Sequence, residues 1–179
     1  MKLIIALGNP GREYEKTRHN AGWLALDFFL QDKPGITCES KFKTQICELN
    51  IRGVKTFFVK PQTFMNLSGQ AVAEIVSFYK LSPETDILVI HDEIDLPLGE
   101  VRLSKDRSSA GHNGVQSLYD YLGTKNFSRI RIGIEARTDK KIPPTVDYVL
   151  HRFTNEELTT LSNSTFPTIA KEIERFLET

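Results

Sequence analysis

The sequence predicts an α/β domain, and three observations carry that prediction. The chain opens on a short apolar run, residues 2–8, that breaks at Asn9-Pro10-Gly11 and gives way to helical spacing from Trp23 onward. A second run, Asp86-Ile87-Leu88-Val89-Ile90, is continuously apolar and bounded by polar residues, as expected of a central strand buried on both faces. Both runs deliver polar residues at their ends, where an open α/β sheet places its ligand crevice.

The elements follow in order. Residues 2–8 form the first strand, and Asn9-Pro10-Gly11 closes it with turn residues in their usual roles. Trp23, Leu24, Leu26, Phe28 and Leu30 then mark a first helix. Asp32-Lys33-Pro34-Gly35 breaks it, and residues 44–51 and 54–59 read as a hairpin joined at Arg52-Gly53. Lys60 to Asn66 is a loop, and residues 67–81 carry Val72, Ile75, Val76 and Tyr79 at amphipathic helical spacing. The buried strand at 86–90 hands over to His91-Asp92-Glu93. Residues 100–103 predict another strand, 108–114 a small-residue loop, and 115–122 a helix with Val115, Leu118 and Leu122 on one face. Residues 128–134 alternate three isoleucines with Arg129, Arg131 and Gly133, a half-buried strand that sends Arg131 away from the isoleucines. Val146 to Leu150 is a short apolar stretch, Thr154-Asn155-Glu156-Glu157 has the form of a capping box, and residues 169–177 form a last amphipathic helix behind Pro167.

Composition narrows the function. The 179 residues suit one domain, 1–179, and 40% hydrophobic content supports a real core. No repeat or low-complexity tract divides the chain. Twenty-three basic residues balance 23 acidic ones, so no global field calls for a polyanion, although a local patch remains open. Cys38 and Cys47 are too few for a disulfide scaffold and too far apart for a CxxC motif, which points to a reduced, cytoplasmic setting. No apolar run reaches membrane length and the first residues lack the form of a signal peptide, so a membrane is not expected as a partner.

The residues able to do chemistry lie in four loops: Asn9 with His19 and Asn20, Met65 with Asn66, His91-Asp92-Glu93, and Gly111-His112-Asn113-Gly114. His19 sits between strand and helix, where neither periodicity accounts for it. A histidine near neutral pKa can take a proton from water, and a carboxylate on its other ring nitrogen fixes its tautomer, so His19 with Asp92 fits that pairing. Asn9, Asn66 and Asn113 offer amide donors and acceptors for a water or a substrate carbonyl. Each residue alone also has an ordinary structural reading: Asn9 as a turn residue, Asn66 as a helix cap, Met65 as core filling, and Arg102, Lys105, Arg107 and Arg131 as solvated strand edges.

In combination the strings are far more specific. Gly8-Asn9-Pro10-Gly11, Tyr14, Thr17-Arg18-His19-Asn20-Ala21-Gly22, Thr63-Phe64-Met65-Asn66-Leu67-Ser68-Gly69, His91-Asp92-Glu93, Asp95-Leu96-Pro97, Gly111-His112-Asn113-Gly114 and Arg131-Ile132-Gly133-Ile134 occur in that order. This closely resembles the bacterial peptidyl-tRNA hydrolases, from the first strand to at least Tyr148-Val149-Leu150. The resemblance implies a monomeric α/β fold with a twisted mixed sheet surrounded by helices. It also implies hydrolysis, without metal or other cofactor, of the ester between a peptide and the 3′ ribose of tRNA. The partner is then peptidyl-tRNA, with no obligate protein partner, and the role is recycling of tRNA from aborted translation.

Carried onto these positions, the resemblance makes His19 the base and Asp92 its partner. Asn9, Asn66 and Asn113 hold peptide, terminal nucleotide and water, Tyr14 and Met65 border the substrate, and Arg131 with Lys105 grips the tRNA 5′ phosphate. The family's glycine-rich run before Gly-His-Asn-Gly is replaced here by Ser104-Lys105-Asp106-Arg107-Ser108-Ser109-Ala110, which leaves Arg102 and Arg107 as alternatives to Lys105. Two other readings stand beside this one. His19, His91, Asp92, Glu93 and Asp95 have the chemistry of a divalent-metal site, though not the spacing of a known motif. The basic edge and the Gly-His-Asn-Gly helix start also suit an RNA-binding module without activity.

Overall fold

The computed structural model describes residues 1–139 and 143–179. Seven strands form one mixed sheet in the order β2-β3-β4-β1-β5-β7-β6. The strands are β1 (Lys2–Ala6), β2 (Thr37–Lys41), β3 (Thr44–Ile51), β4 (Val54–Pro61), β5 (Ile87–Pro97), β6 (Val101–Ser104) and β7 (Ser128–Glu135). The central four, β4, β1, β5 and β7, run parallel, and antiparallel β3, β2 and β6 extend the two edges. This is the mixed sheet with surrounding helices that the resemblance implies.

Both faces of the sheet are covered, which explains the continuous apolar run of β5. On one face Ile4, Leu88, Ile90, Ile130 and Ile132 pack against α1 (Ala21–Leu30) and α7 (Phe166–Leu177). On the other, Leu3, Ile5, Ile87 and Val89 pack against α2 (Ser68–Tyr79) and α4 (Asn113–Leu122). Burying these side chains is worth about 25 cal/mol per Å² of apolar surface removed from water. Short helices α3 (Pro83–Asp86), α5 (Thr145–Tyr148) and α6 (Asn155–Thr160) fill the connections. The expected capping box is present on α6: Thr154 Oγ1 accepts from Glu157 N–H and the Glu157 carboxylate accepts from Thr154 N–H. Among the described residues no helix is long and apolar enough to cross a membrane.

Several expectations need correction. His91, Asp92 and Glu93 do not follow the central strand but lie within it, because β5 continues to Pro97 with a register irregularity between Glu93 and Pro97. β7 is buried on both faces, Arg129 included, and not half-buried. Strand β2 has no sequence signature: every one of its residues is exposed and no apolar pattern marks it. The cysteines are also not separate thiols. Cys38 and Cys47 stand opposite each other across β2 and β3 and form a disulfide, a pairing that follows from hairpin register and not from spacing along the chain.

Candidate active site

The site gathers at the C-terminal ends of the parallel strands, the general location of ligand crevices in open α/β sheets. β1 ends just before Asn9, β4 leads into a 3₁₀ turn at Met65–Leu67, and β5 carries Asp92. His19 sits on a 3₁₀ turn, Arg18–Asn20, immediately before α1. The start of α1 is pressed onto the sheet: a Cβ at Gly22 would lie 2.5 Å from the Ile90 carbonyl oxygen, so only glycine permits this approach.

The His19 segment is clamped from its other side by the C-terminal part of the chain. His19 N–H donates to Val149 O at 2.8 Å and Arg18 N–H to His151 O at 3.0 Å. The buried Arg18 guanidinium donates to both carboxylate oxygens of Glu157, at 2.7 and 2.8 Å, and to Arg152 O, and it stacks on the Tyr148 ring. A bidentate arginine–carboxylate pair adds direction to charge, so the backbone beneath His19 has little freedom.

His19 Nδ1 meets the Asp92 carboxylate at 2.9 and 3.0 Å, and both residues are buried. An ionised carboxylate only accepts, so Nδ1 carries the hydrogen and Nε2 is left as the basic atom. Burial works against the imidazolium, but the charge and hydrogen bond of Asp92 outweigh it and raise the His19 pKa above 6.5. Burial likewise opposes ionisation of Asp92, yet His19 and His112 beside it hold its carboxyl far below the usual range. His112 Nε2 lies 2.8 Å from Asp92 Oδ1, while its Nδ1 accepts from Gly114 and Val115 N–H as the N-cap of α4.

Amide side chains face this couple across a cleft of about 350 Å³ lined by Asn9, His19, Met65, Asn66, Asp92 and Asn113 among others. Asn9 is oriented with care. Its Oδ1 accepts from Met65 N–H at 2.8 Å, and its backbone N–H and carbonyl are both bonded by the wholly buried Asn20 side chain. The Asn9 Nδ2 donor thus has no protein partner among the described residues. Asn66 and Asn113 are exposed and make no side-chain hydrogen bond among the described residues, so Asn66 does not cap α2. Met65 is buried against Gly114 at the start of α4, where a Cβ would lie 2.4 Å from Met65 Sδ, so a larger residue there would displace the Met65 side chain. Tyr14 does not line the cleft but packs its ring edge-on to Phe64, which does, with centroids 6.4 Å apart.

Arg131 and Lys105 are not brought together. Arg131 Nε donates to the buried Glu93 carboxylate at 3.0 Å, beside the site. β6 runs antiparallel to β7 and leads away from the cleft, and Lys105 Nζ donates to Glu84 O, just before β5 begins. Arg102 is instead the direct cross-strand neighbour of Arg131, and such pairs share one face of a sheet. Arg107 is exposed on the following loop, whose carbonyls at 107 and 108 accept from the buried Arg129. Asn20, His112 and the Arg18–Glu157 clamp carry no signal in the sequence for the hydrogen bonds that set His19, Asp92 and Asn9, because each of those bonds joins segments far apart along the chain.

His19, Asp92 and His112 offer donor atoms within 4.8 Å of one another, the spacing of a metal site. Their hydrogen bonding argues against that use. Ligation through His112 Nε2 would move its proton to Nδ1, against the N–H groups of Gly114 and Val115 that Nδ1 now accepts from. His91 and Asp95 add nothing, since His91 Nδ1 is bonded to Asp92 O and Asp95 is exposed. Among the described residues no serine or cysteine side chain bonds His19 or Asp92.

An α/β sheet with a buried histidine–aspartate couple at its strand ends, opening on a cleft lined by amide side chains, defines a hydrolase-type protein. The chain belongs to the peptidyl-tRNA hydrolase family, whose model matches residues 3–179. It is 49% identical over 154 residues to the peptidyl-tRNA hydrolase of Brevibacillus brevis, covering 86% of this chain and 79% of that one. With the peptidyl-tRNA hydrolase of Lactobacillus johnsonii it shares 42% identity over 179 residues, 99% of this chain and 94% of that one. The crystal structure of peptidyl-tRNA hydrolase from Acinetobacter baumannii superposes with a TM-score of 0.89 at 32% identity, covering 99% of this chain and 89% of that one.

Proposed function

We propose that residues 1–179 act as one cytoplasmic, monomeric unit that hydrolyses the ester between a peptide and the 3′-terminal ribose of peptidyl-tRNA, without a metal, and so returns tRNA from aborted translation. The observation that carries this reading is the His19 Nδ1–Asp92 bond, which leaves Nε2 as the basic atom of a residue lining the cleft. His19 Nε2 takes a proton from water, and the hydroxide adds to the ester carbonyl. The tetrahedral oxyanion meets the Asn9 Nδ2 or Asn113 amide donor. As it collapses, the ribose oxygen leaves and takes the proton back from the His19 imidazolium, restoring the neutral base. Asp92 stays ionised throughout and stabilises the imidazolium between the two transfers.

The remaining residues bind. Asn66 and Asn113 hold the terminal nucleotide and the peptide, Met65 forms the cleft floor, and Tyr14 supports Phe64 at its rim. Arg131 grips the 5′ phosphate, and its cross-strand neighbour Arg102 suits that task better than Lys105, which lies at the far end of β6. Preference for a blocked amino group follows if site donors and acceptors are matched to the first peptide bond, since a free ammonium leaves them unpaired.

The test is incubation of the purified protein with an N-acetylated aminoacyl-tRNA and with its free-amine counterpart. Multiple turnover of the blocked ester, undiminished by chelator, with sparing of the free-amine ester, is expected. Binding without turnover at excess protein would leave an RNA-binding module. Activity lost to chelator and restored by a divalent ion would place a metal at His19, Asp92 and His112.

A further inference from the structure

We propose that His112 is a positioning residue of the hydrolytic centre: held in its Nε2–H tautomer by the start of α4, it gives Asp92 a second fixed donor and thereby sets both the orientation and the basicity of His19. The proposal rests on the hydrolytic reading above, and it adds a third member to the His19–Asp92 couple.

Three observations on different elements carry it. First, the tautomer of His112 is fixed by geometry. Gly114 and Val115 N–H point at Nδ1 at 3.1 and 3.3 Å, and backbone N–H groups can only donate, so Nδ1 must be the unprotonated nitrogen and Nε2 the donor. Second, that donor is spent on Asp92 Oδ1 at 2.8 Å, the same oxygen that accepts from His19 Nδ1 at 3.0 Å. Asp92 is therefore gripped between two imidazoles presented by different elements, one ahead of α1 and one capping α4. Third, the His112 ring cannot easily turn away. Its side chain is only 8% exposed, and the His91 ring stands against it in a T-shaped contact with centroids 4.8 Å apart. His91 is itself fixed between Asp92 O and the buried Arg129 guanidinium, and burial together with His112 and Arg129 pushes its pKa well below 6.5, so it stays neutral.

The consequence for His19 has a definite sign. A hydrogen bond to the charged form of a carboxylate stabilises that charge and lessens its demand for other partners. With His112 in place, Asp92 pulls less strongly on a proton at His19. Without it, the Asp92 charge is concentrated on His19, the imidazolium is favoured, and less of His19 is the free base at neutral pH. The other ionised neighbours are occupied and unchanged: Arg18 with Glu157, Arg131 with Glu93, and Arg129 with the loop carbonyls.

His112→Asn separates the two duties of this side chain. Asparagine is a favoured N-cap whose Oδ1 can still accept from the first N–H groups of α4, but it is too short to reach Asp92 as well. Single-turnover hydrolysis of N-acetylated aminoacyl-tRNA is measured from pH 5.5 to 8.5 for wild type, His112→Asn and His19→Ala, with thermal melts alongside. For His112→Asn we expect an unchanged melting temperature and a rate midpoint about 0.5 to 1 pH unit higher, hence a three- to tenfold loss on the acid limb that shrinks at high pH. A midpoint that stays put or falls overturns the proposal. Should His112→Asn fold poorly, nitrogen-15 histidine spectra of the wild-type protein decide instead: the Nε2–H tautomer at His112 is expected, and an Nδ1–H tautomer refutes the assignment. If His19→Ala is inactive while the His112→Asn midpoint is unmoved, only this inference fails. If His19→Ala retains full activity, the hydrolytic reading itself fails.

Discussion

Replacing Asp92 by asparagine removes one charge from the centre of the site while nearly conserving volume, and the structure fixes what should follow. At 2.9 Å from His19 Nδ1, the carboxylate attracts a forming imidazolium by about 6 kcal/mol at an effective dielectric constant near 20. The cost of keeping a buried carboxylate ionised offsets part of this, leaving about 3–5 kcal/mol, or a loss of roughly 10²- to 10⁴-fold in single-turnover rate. Hydrogen bonding adds to the loss. With its oxygen kept on His112 Nε2–H at the Oδ1 position, the asparagine places its NH₂ group at the Oδ2 position, 2.9 Å from His19 Nδ1, a donor facing a donor. His112 is locked by α4, so His19 changes tautomer and carries its proton on Nε2, where a general base must be bare. The pH profile should separate this account from simple damage. In wild type the rate rises with pH through a midpoint above 6.5, because only neutral His19 works and Asp92 raises its pKa. In Asp92→Asn burial acts unopposed and the midpoint falls below 6.5, on a plateau lowered by the stated factor. A variant with wild-type plateau, or with a midpoint that rises, refutes the reasoning.

Other consequences follow from single contacts. Asn9→Asp keeps an acceptor for Met65 N–H but replaces the free Nδ2 donor by oxygen, so we expect at least ~10²-fold slower single-turnover hydrolysis with an unchanged melting curve; near-wild-type rates would remove Asn9 from oxyanion or substrate contact. Arg18→Ala strands Glu157 beneath the His19 turn, and the loss of a buried pair, about 3–5 kcal/mol, lowers the thermal midpoint by roughly 10 °C; a shift within a degree or two contradicts the clamp. Arg102→Ala flattens the salt dependence of tRNA binding by close to one phosphate contact, about 0.7–0.9 in slope, while Lys105→Ala leaves it alone; the reverse pattern returns the 5′ phosphate contact to Lys105.

Much of this architecture was legible because burial writes itself into sequence. β1, β5 and the β3–β4 hairpin announce themselves by apolar runs, and α6 by its Thr154–Glu157 capping box. What stayed hidden was whatever depends on register or long separation. β2 is an exposed edge strand with no apolar signature, and the Cys38–Cys47 bond exists because the hairpin sets those residues opposite each other. The full extent of β5 is hidden in the sequence because its later residues include polar ones and its pairing is irregular between Glu93 and Pro97. One sequence gives no phase for β6: the strand is four residues long, and its direction decides which basic side chain lies beside Arg131. Motif strings indicated that His19 and Asp92 share a cleft. Neither strings nor periodicity indicated that His112 caps α4 with one nitrogen and holds Asp92 with the other, or that Arg18 ties the His19 turn to Glu157, 139 residues away.

The central claim is that His19 Nε2 is the base that activates water. Single-turnover hydrolysis of an N-acetylated aminoacyl-tRNA by His19→Ala, in a variant whose tRNA affinity and melting temperature match wild type, tests it most directly. The account predicts a loss of at least two orders of magnitude, in keeping with the ~10²- to 10⁴-fold contribution of a positioned general base, together with loss of the wild-type pH dependence. Hydrolysis within a few-fold of wild type, on the same pH profile, would contradict it.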